Sequence, residues 1–247
     1  MCIIIHKPEN VPCPSKDILE TCFYNNPDGA GMAILRPKAE KVEIHKGFMV
    51  LKDFLDFAAC AAEKDDIVTY HFRITTSGGT IPGNCHPFPV SDNVKDLKAL
   101  SIKSRFAFIH NGVIGAGSNS LSDTQLYVKN TLAKMSFDSL NEKIINKISQ
   151  DTQGSRTVTI DARRKKVAFT GDWIHDEKTG LSFSNARFKA PVWSFTDYST
   201  PILSTCPNCK SSEAELISEA HGLYECPECN CLFDTDKNIW ADGFLLD

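Results

Sequence analysis

Two pairs of cysteines near the C-terminus restrict most strongly what this chain can fold into. Cys206 and Cys209 form one Cys-x-x-Cys pair, Cys226 and Cys229 form another, and sixteen residues separate the two pairs. This spacing is typical of one tetrahedral site with four thiolate ligands, and a site without an open position is structural rather than catalytic. We expect zinc as the metal, with iron as the less favoured alternative.

The segment around these cysteines, residues 202–236, is too short to bury an adequate core, so the metal would supply most of its folding free energy. The segment resembles a zinc ribbon. Its acidic character favours protein docking or a purely structural role over contact with nucleic acid. The acidic residues are Glu213, Glu215, Glu219, Glu225, Glu228, Asp234 and Asp236. We interpret His221 and Cys231 as bystanders to the metal, and residues 237–247 as a C-terminal tail.

Composition limits the classes of function that are open to the chain. It has 247 residues, a formal net charge of −4 and a pI of about 6.0, which does not favour an electrostatic nucleic-acid binder. No apolar run approaches the ~20 residues of a membrane span, and no secretory signal is recognisable. The cysteines outside the two pairs are scattered, which favours a reducing, cytoplasmic location over a disulfide scaffold. These are Cys2, Cys13, Cys22, Cys60, Cys85 and Cys231.

Short apolar segments alternate with amphipathic ones over residues 2–195, and this pattern predicts an α+β domain. Strands are predicted at residues 3–5, 30–35, 42–45, 66–72, 106–110, 156–161, 167–170 and 181–184. Helices are predicted at residues 15–25, 51–62, 122–134 and 140–149. Residues 73–90 lack a period and are dense in Gly, Thr and Pro, which indicates a functional loop. We interpret residues 191–201 as a linker, and the basic run 163–166 as a solvated hairpin tip.

A cysteine directly follows the initiator methionine, which makes it a candidate nucleophile. If Met1 is removed, Cys2 carries both a thiol and a free α-amine. The amine titrates near pH ~8 and the thiol near ~8.5, so the amine can act as the base for the thiol beside it. The apolar run at residues 3–5 predicts a buried strand that would hold this nucleophile. The alternative is an ordinary small buried residue.

Four further segments matter in combination. They are residues 71–78 (HFRITTSG), 84–88 (NCHPF), 110–112 (HNG) and 122–124 (SDT). Each one has an ordinary interpretation, such as an Asn-Gly turn or an Asp at a helix start. In this order behind an N-terminal cysteine, however, they resemble the class II glutamine amidotransferases, which are N-terminal nucleophile hydrolases. The resemblance covers about residues 2–190.

The resemblance implies a four-layer αββα sandwich with two facing antiparallel sheets, and an activity that hydrolyses glutamine. Cys2 would attack the side-chain amide, and the α-amine would move the proton. The Asn111 side chain and the Gly112 backbone N–H would form the oxyanion hole. Collapse of the intermediate would release ammonia and leave a γ-glutamyl thioester, which water hydrolyses to glutamate.

The same resemblance implies how the substrate is held. Arg73 would bind the α-carboxylate of L-glutamine through its planar guanidinium. Asp123 would bind the α-ammonium group, so that the two residues recognise a free amino acid from both ends. Thr76 and His86 are assigned to substrate contact or loop support.

Two departures from the family pattern leave the substrate beyond the γ-glutamyl group open. Ile74 stands where many members carry an aromatic residue, and Ser77 stands where some carry His. The leading hypothesis is a glutaminase subunit that supplies ammonia to an acceptor on a partner synthetase or transferase. One alternative is a hydrolase of γ-glutamyl amides or peptides. Another is a non-catalytic assembly module that uses the zinc ribbon.

Overall fold

The computed structural model describes residues 1–118, 120–135, 138–189, 206–211, 215–218, 223–229, 231–233, 239–241 and 244–245. The chain divides into two units, Met1–Val192 and Trp193–Asp247. The first unit combines helices with two antiparallel sheets, and the predicted α+β class is therefore confirmed. None of the described helices has the length and apolar character that crossing a bilayer requires.

The elements of the first unit are short, as the sequence pattern predicts. Its strands are β1 (Ile3–Lys7), β2 (Ala30–Leu35), β3 (Val42–Phe48), β4 (Ile67–Phe72), β5 (Phe88–Pro89), β6 (Ser101–Ser104), β7 (Phe106–Asn111), β8 (Arg156–Asp161), β9 (Lys166–Thr170), β10 (Ile174–Asp176) and β11 (Leu181–Phe183). Its α-helices are α1 (Lys16–Asn25), α2 (Leu51–Ala61), α3 (Val94–Lys98), α4 (Asp123–Asn130) and α5 (Glu142–Asp151).

The larger sheet has seven strands in the order β10-β11-β1-β4-β2-β3-β6, so β1 lies inside it. Ile3 pairs with Phe72 on β4, and Ile5 pairs with Phe183 on β11. The smaller sheet has the order β5-β7-β8-β9, and Asn111 at the end of β7 pairs with Arg156 at the start of β8. This topology brings the start of β1 next to the segment that follows β4.

Every residue of β1 is buried, because both faces of the strand pack against other elements. Ile3 and Ile5 belong to a core cluster with residues of α1 and α2. Ile4 points to the other face, as period-two geometry requires, and belongs to a cluster with Ile109 of β7. A third cluster joins Phe108 of β7 to α4 and α5.

Local capping fixes the helices that flank the candidate site. The Ser15 side chain accepts a hydrogen bond from Ile18 N (3.4 Å) and caps α1. Ser122 and Gln125 form a reciprocal capping box at the start of α4, a strong signal for a helix N-terminus. The predicted helix over residues 122–134 is too long, because α4 ends at Asn130 and a 3₁₀ turn follows at Leu132–Lys134.

The second unit contains a five-stranded antiparallel sheet whose strands follow chain order. These strands are β12 (Glu215–Ser218), β13 (Leu223–Glu225), β14 (Leu232–Phe233), β15 (Ile239–Ala241) and β16 (Phe244–Leu245). Strand β15 pairs with β14, and β16 pairs with β15, so both belong to this sheet. The sequence analysis had assigned residues 237–247 to a C-terminal tail. The predicted linker at residues 191–201 lies outside the described residues.

Candidate active site

Cys2 lies at the start of β1 against the chain that leaves β4. Its sulfur accepts a hydrogen bond from Ile74 N (3.4 Å), and its S–H group donates to Ile74 O (3.6 Å). Burial raises the pKa of the Cys2 thiol, and the bond from Ile74 opposes that effect. The thiol therefore needs a base close to it before it can act as a nucleophile at neutral pH.

The turn between α1 and β2 fixes the segment beside Cys2. Asp28 accepts a hydrogen bond from Thr75 N at its Oδ2 (2.6 Å), and its own N–H donates to Arg73 O (3.1 Å). Arg73 N donates in turn to Gly29 O (2.9 Å). Because these bonds lie on both sides of Ile74, they hold its backbone N–H against the sulfur of Cys2.

Arg73 and Asp123, the predicted partners of the two ends of an amino acid, are both buried. Arg73 donates from Nη2 to Ser77 O (3.0 Å), whereas its buried Nη1 has no partner among the described residues. Asp123 accepts from Ile114 N (2.9 Å) at Oδ2 and from Thr124 N (2.7 Å) at Oδ1. A free guanidinium nitrogen inside a pocket is suited to binding a carboxylate.

Ser77 connects these two residues. Its hydroxyl donates to Asp123 Oδ1 (3.3 Å) and accepts from Asp123 N (3.2 Å). Its carbonyl oxygen accepts the bond from Arg73 described above. The residue therefore holds the start of α4 and the Arg73 guanidinium in one arrangement.

The predicted oxyanion residues lie at the end of β7. Asn111 Nδ2 donates to Ser184 Oγ (2.9 Å), and the same oxygen accepts from Ile4 N (2.9 Å). Ser184 therefore links β1 to β7. At Gly112, a Cβ atom would overlap Ser155 Oγ and lie 2.5 Å from Ser155 Cβ, so a side chain does not fit there. This backbone can approach a substrate closely.

Six of the seven predicted catalytic and substrate-binding residues line one pocket. They are Cys2, Arg73, Thr76, His86, Gly112 and Asp123. Asn111 is not among the described residues that line it. The cavity measures about 20 Å³, which is room for about one water molecule.

Three buried histidines lie close together at this pocket, which His86 and His110 line, and the sequence analysis assigned a role to His86 alone. The His71 and His86 rings stack with centroids 4.2 Å apart, and the His110 ring lies 6.5 Å from that of His86. Burial lowers the pKa of His71 to about 3 and that of His110 to about 4, and it lowers the pKa of His86 well below the usual range. All three are therefore neutral at pH 7, and neither His86 nitrogen has a partner in the described part of the chain.

The second unit contains the predicted metal site. The sulfur atoms of Cys206, Cys209, Cys226 and Cys229 all lie within 4.8 Å of one another. Such a set of sulfur donors fits a metal ion such as zinc. The backbone turns around the first pair, with Lys210 N donating to Cys206 O (3.0 Å). His221, interpreted as a bystander, lies outside the described residues.

Several residues contact the N-terminal segment, and the sequence analysis predicted none of these contacts. Asn26, Asn185 and Arg187 donate side-chain hydrogen bonds to the carbonyl groups of Met1 or Cys2, and Ser184 contacts Ile4. Local sequence patterns do not indicate such contacts, because the partners lie up to 186 positions apart in the chain. No protein-family model matches this chain, and a search of curated proteins finds no significant match.

Proposed function

We propose that this chain is a glutamine-hydrolysing amidotransferase subunit of class II, an enzyme with an N-terminal cysteine nucleophile. The observation that carries this proposal is the convergence of distant segments on one pocket. Cys2 from the chain start, Arg73 from the loop after β4, and Asp123 from the start of α4 all line it. A thiol, a guanidinium with a free nitrogen and a carboxylate are the groups that hydrolysis of a free amino acid amide requires.

The packing of the first unit supports the four-layer αββα arrangement of the N-terminal nucleophile hydrolases. Helices α1 and α2 pack on one face of the larger sheet, and the smaller sheet packs on the other. Helices α4 and α5 pack on the far side of the smaller sheet. In this arrangement β1 is central, and the nucleophile lies at its end.

In the proposed mechanism, removal of Met1 frees the α-amine of Cys2, and this amine takes the proton from the thiol. The thiolate attacks the carbonyl carbon of the side-chain amide of L-glutamine, and the Gly112 N–H and the Asn111 side chain stabilise the oxyanion. The amine then protonates the departing ammonia. Water hydrolyses the γ-glutamyl thioester and regenerates the thiol.

Arg73 and Asp123 give the proposed site its preference for a free amino acid. Nη1 of Arg73 has no partner among the described residues, so it can donate to the substrate carboxylate without losing an existing bond. Asp123 Oδ1 already accepts hydrogen bonds from Ser77 Oγ and from the N and Oγ1 atoms of Thr124. Among the described residues, Oδ2 accepts only the bond from Ile114 N, which leaves an acceptor position on that oxygen for the substrate ammonium group. A substrate lacking either end group would leave one of these buried charges unpaired, which is costly.

The proposal extends to a partner and to the metal. We propose an ammonia acceptor on a separate synthetase or transferase, with the four-cysteine unit as a structural zinc module. Zinc would hold the turns of that unit together through four ligands, Cys206, Cys209, Cys226 and Cys229. Such a site is structural rather than catalytic, because four thiolates leave no position for a substrate. A hydrolase of γ-glutamyl amides or peptides is the alternative.

Covalent labelling tests the proposed function directly. A glutamine analogue with a diazoketone in place of the amide alkylates the thiol that attacks it, so mass analysis should find one label per chain on Cys2. L-Glutamine should protect Cys2, whereas D-glutamine should not. Arg73→Gln should slow the labelling by about tenfold or more, because a charge-assisted hydrogen bond is lost. A label on other cysteines, or no protection by L-glutamine, would contradict the proposal.

A further inference from the structure

The backbone of Met1 and Cys2 is held by side chains from two distant turns. Strand pairing of β1 with β4 begins at Ile3. Before that point, Asn26 Nδ2 donates to Met1 O (2.9 Å), and Arg187 Nη1 donates to the same oxygen (3.3 Å). Asn185 Nδ2 donates to Cys2 O (2.7 Å). The position of the Cys2 nitrogen is therefore fixed from both sides.

Asn26 is the member of this set with an incomplete hydrogen-bond pattern. Its side chain is fully buried, and its Oδ1 has no partner within the described residues. Its backbone N–H donates to Phe23 O (3.0 Å) at the end of α1, and Pro27 restricts its backbone from the other side. A buried acceptor without a donor is uncommon in native structures and calls for an explanation.

Removal of Met1 places a new donor beside this carboxamide. The Met1 carbonyl oxygen leaves, so Asn26 Nδ2 loses its acceptor. The Cys2 nitrogen becomes an amine with N–H groups where the peptide bond had been. The preferred values of the χ2 torsion of Asn are broad and roughly two-fold. A half-turn about this bond therefore brings Oδ1 to the place that Nδ2 occupied. The acceptor that was unpaired then faces the amine.

We propose that Asn26 Oδ1 accepts a hydrogen bond from the free α-amine of Cys2 in the processed protein, and that Asn26 positions this amine beside the thiol. Asn26 is thus a positioning residue for the base. The inference rests on the proposed function, because it assumes that Cys2 works as an N-terminal nucleophile.

The charges around the Cys2 α-amine explain why a carboxamide side chain, rather than a carboxylate, suits position 26. Arg187 and Arg73 are cations beside the Met1–Cys2 segment. The Asp28 carboxylate accepts a hydrogen bond from Thr75 N, and the Asp123 carboxylate, which lines the same pocket as Cys2, accepts one from Ile114 N. A carboxylate at residue 26 would stabilise the ammonium form of the amine and keep the base protonated. A carboxamide holds the amine without adding that charge.

The test compares the α-amine titration of the processed wild type with that of three processed variants, after mass analysis has shown that each protein begins with Cys2. NMR of the ¹³Cα of Cys2 follows ionisation of the amine and does not depend on enzymatic activity. Asn26→Asp should raise the amine pKa by about 1 unit or more, since a carboxylate then lies within ~4 Å of it. Asn25→Asp adds the same charge one residue away and is the matched control, with a shift less than half as large. Asn26→Leu should lower the amine pKa and reduce kcat more than it raises KM.

The outcomes separate this inference from the proposed function. An amine titration unchanged by Asn26→Asp overturns the inference, even if the wild type hydrolyses glutamine. A shifted titration in a protein that hydrolyses no glutamine supports the inference and contradicts the function. If the variants do not fold, a crystal structure of the processed wild type decides the matter. A distance from Cys2 N to Asn26 Oδ1 of about 2.7–3.2 Å is expected, and one beyond about 3.5 Å overturns the inference.

Discussion

Acidification should destabilise the first unit strongly, because four of its histidines are buried in the neutral form. Burial lowers the pKa of His6 and His110 to about 4 and that of His71 to about 3, and it lowers the pKa of His86 well below its usual range. In the unfolded chain each of them titrates near ~6.5. Below that pH the unfolded chain binds protons that the folded protein does not, so stability falls as the pH falls.

The magnitude follows from this difference in proton binding. Between pH 7.0 and 5.5, one such histidine lowers the free energy of unfolding by about 1.2 kcal/mol, and four together lower it by about 5 kcal/mol. A whole domain is typically stable by only about 5–15 kcal/mol. Moderate acid should therefore remove a large part of the stability of this unit before any of the four histidines is protonated in the folded state.

Denaturant unfolding followed by circular dichroism at both pH values measures this effect, provided that the slope with denaturant stays constant. His71→Gln removes one titrating group. It should reduce the difference in unfolding free energy between the two pH values by about 1.2 kcal/mol, whatever its effect on stability at pH 7. His175 is exposed on β10, and His175→Gln should leave the difference unchanged. A difference below about 1 kcal/mol in the wild type would refute the reasoning.

Further predictions concern single groups. Arg73→Gln should lower kcat/KM for glutamine about 10–100-fold, mainly through KM, because a charge-assisted hydrogen bond to the substrate is lost; unchanged steady-state kinetics would argue against its role. Asn111→Ala should lower kcat by about 10²–10³ if its side chain stabilises the oxyanion. Gly31→Ala should lower the melting temperature, because its Cβ would overlap His86 O and lie 2.6 Å from Lys46 Cβ; an unchanged melting curve would contradict this packing. Metal analysis should find about one zinc per chain, and Cys226→Ser should abolish it.

Strands with continuous apolar runs were predictable from the sequence. β2 is a fully buried apolar run, and it begins and ends at the predicted residues because both of its faces are covered. β8 also has the predicted bounds, although its Val158 and Ile160 alternate with buried threonines. β6 and β10 were missed. β6 alternates exposed and half-buried residues at a sheet edge, and β10 is mostly exposed, so neither carries an apolar run. Their pairing depends on neighbours far away in sequence.

Some residues of the candidate site could likewise be found from the sequence, and others could not. Arg73 and Asp123 come from short motifs whose order could be read along the chain, and both line the pocket with Cys2. Their roles stay predictions. Asn26 and Ser184 could not be predicted, because the contacts that single them out are hydrogen bonds to Met1 O and Ile4 N made by the folded chain. The size of the cavity likewise depends on packing that no local pattern encodes.

Glutamate release from L-glutamine is the most direct test of the central claim. The protein should first be shown by mass analysis to begin with Cys2, and Cys2→Ala serves as the control. We predict release by the processed wild type and none above background by the variant, because the thiol is the attacking group. Release that survives in Cys2→Ala, or no release by protein with a free Cys2, would contradict the claim.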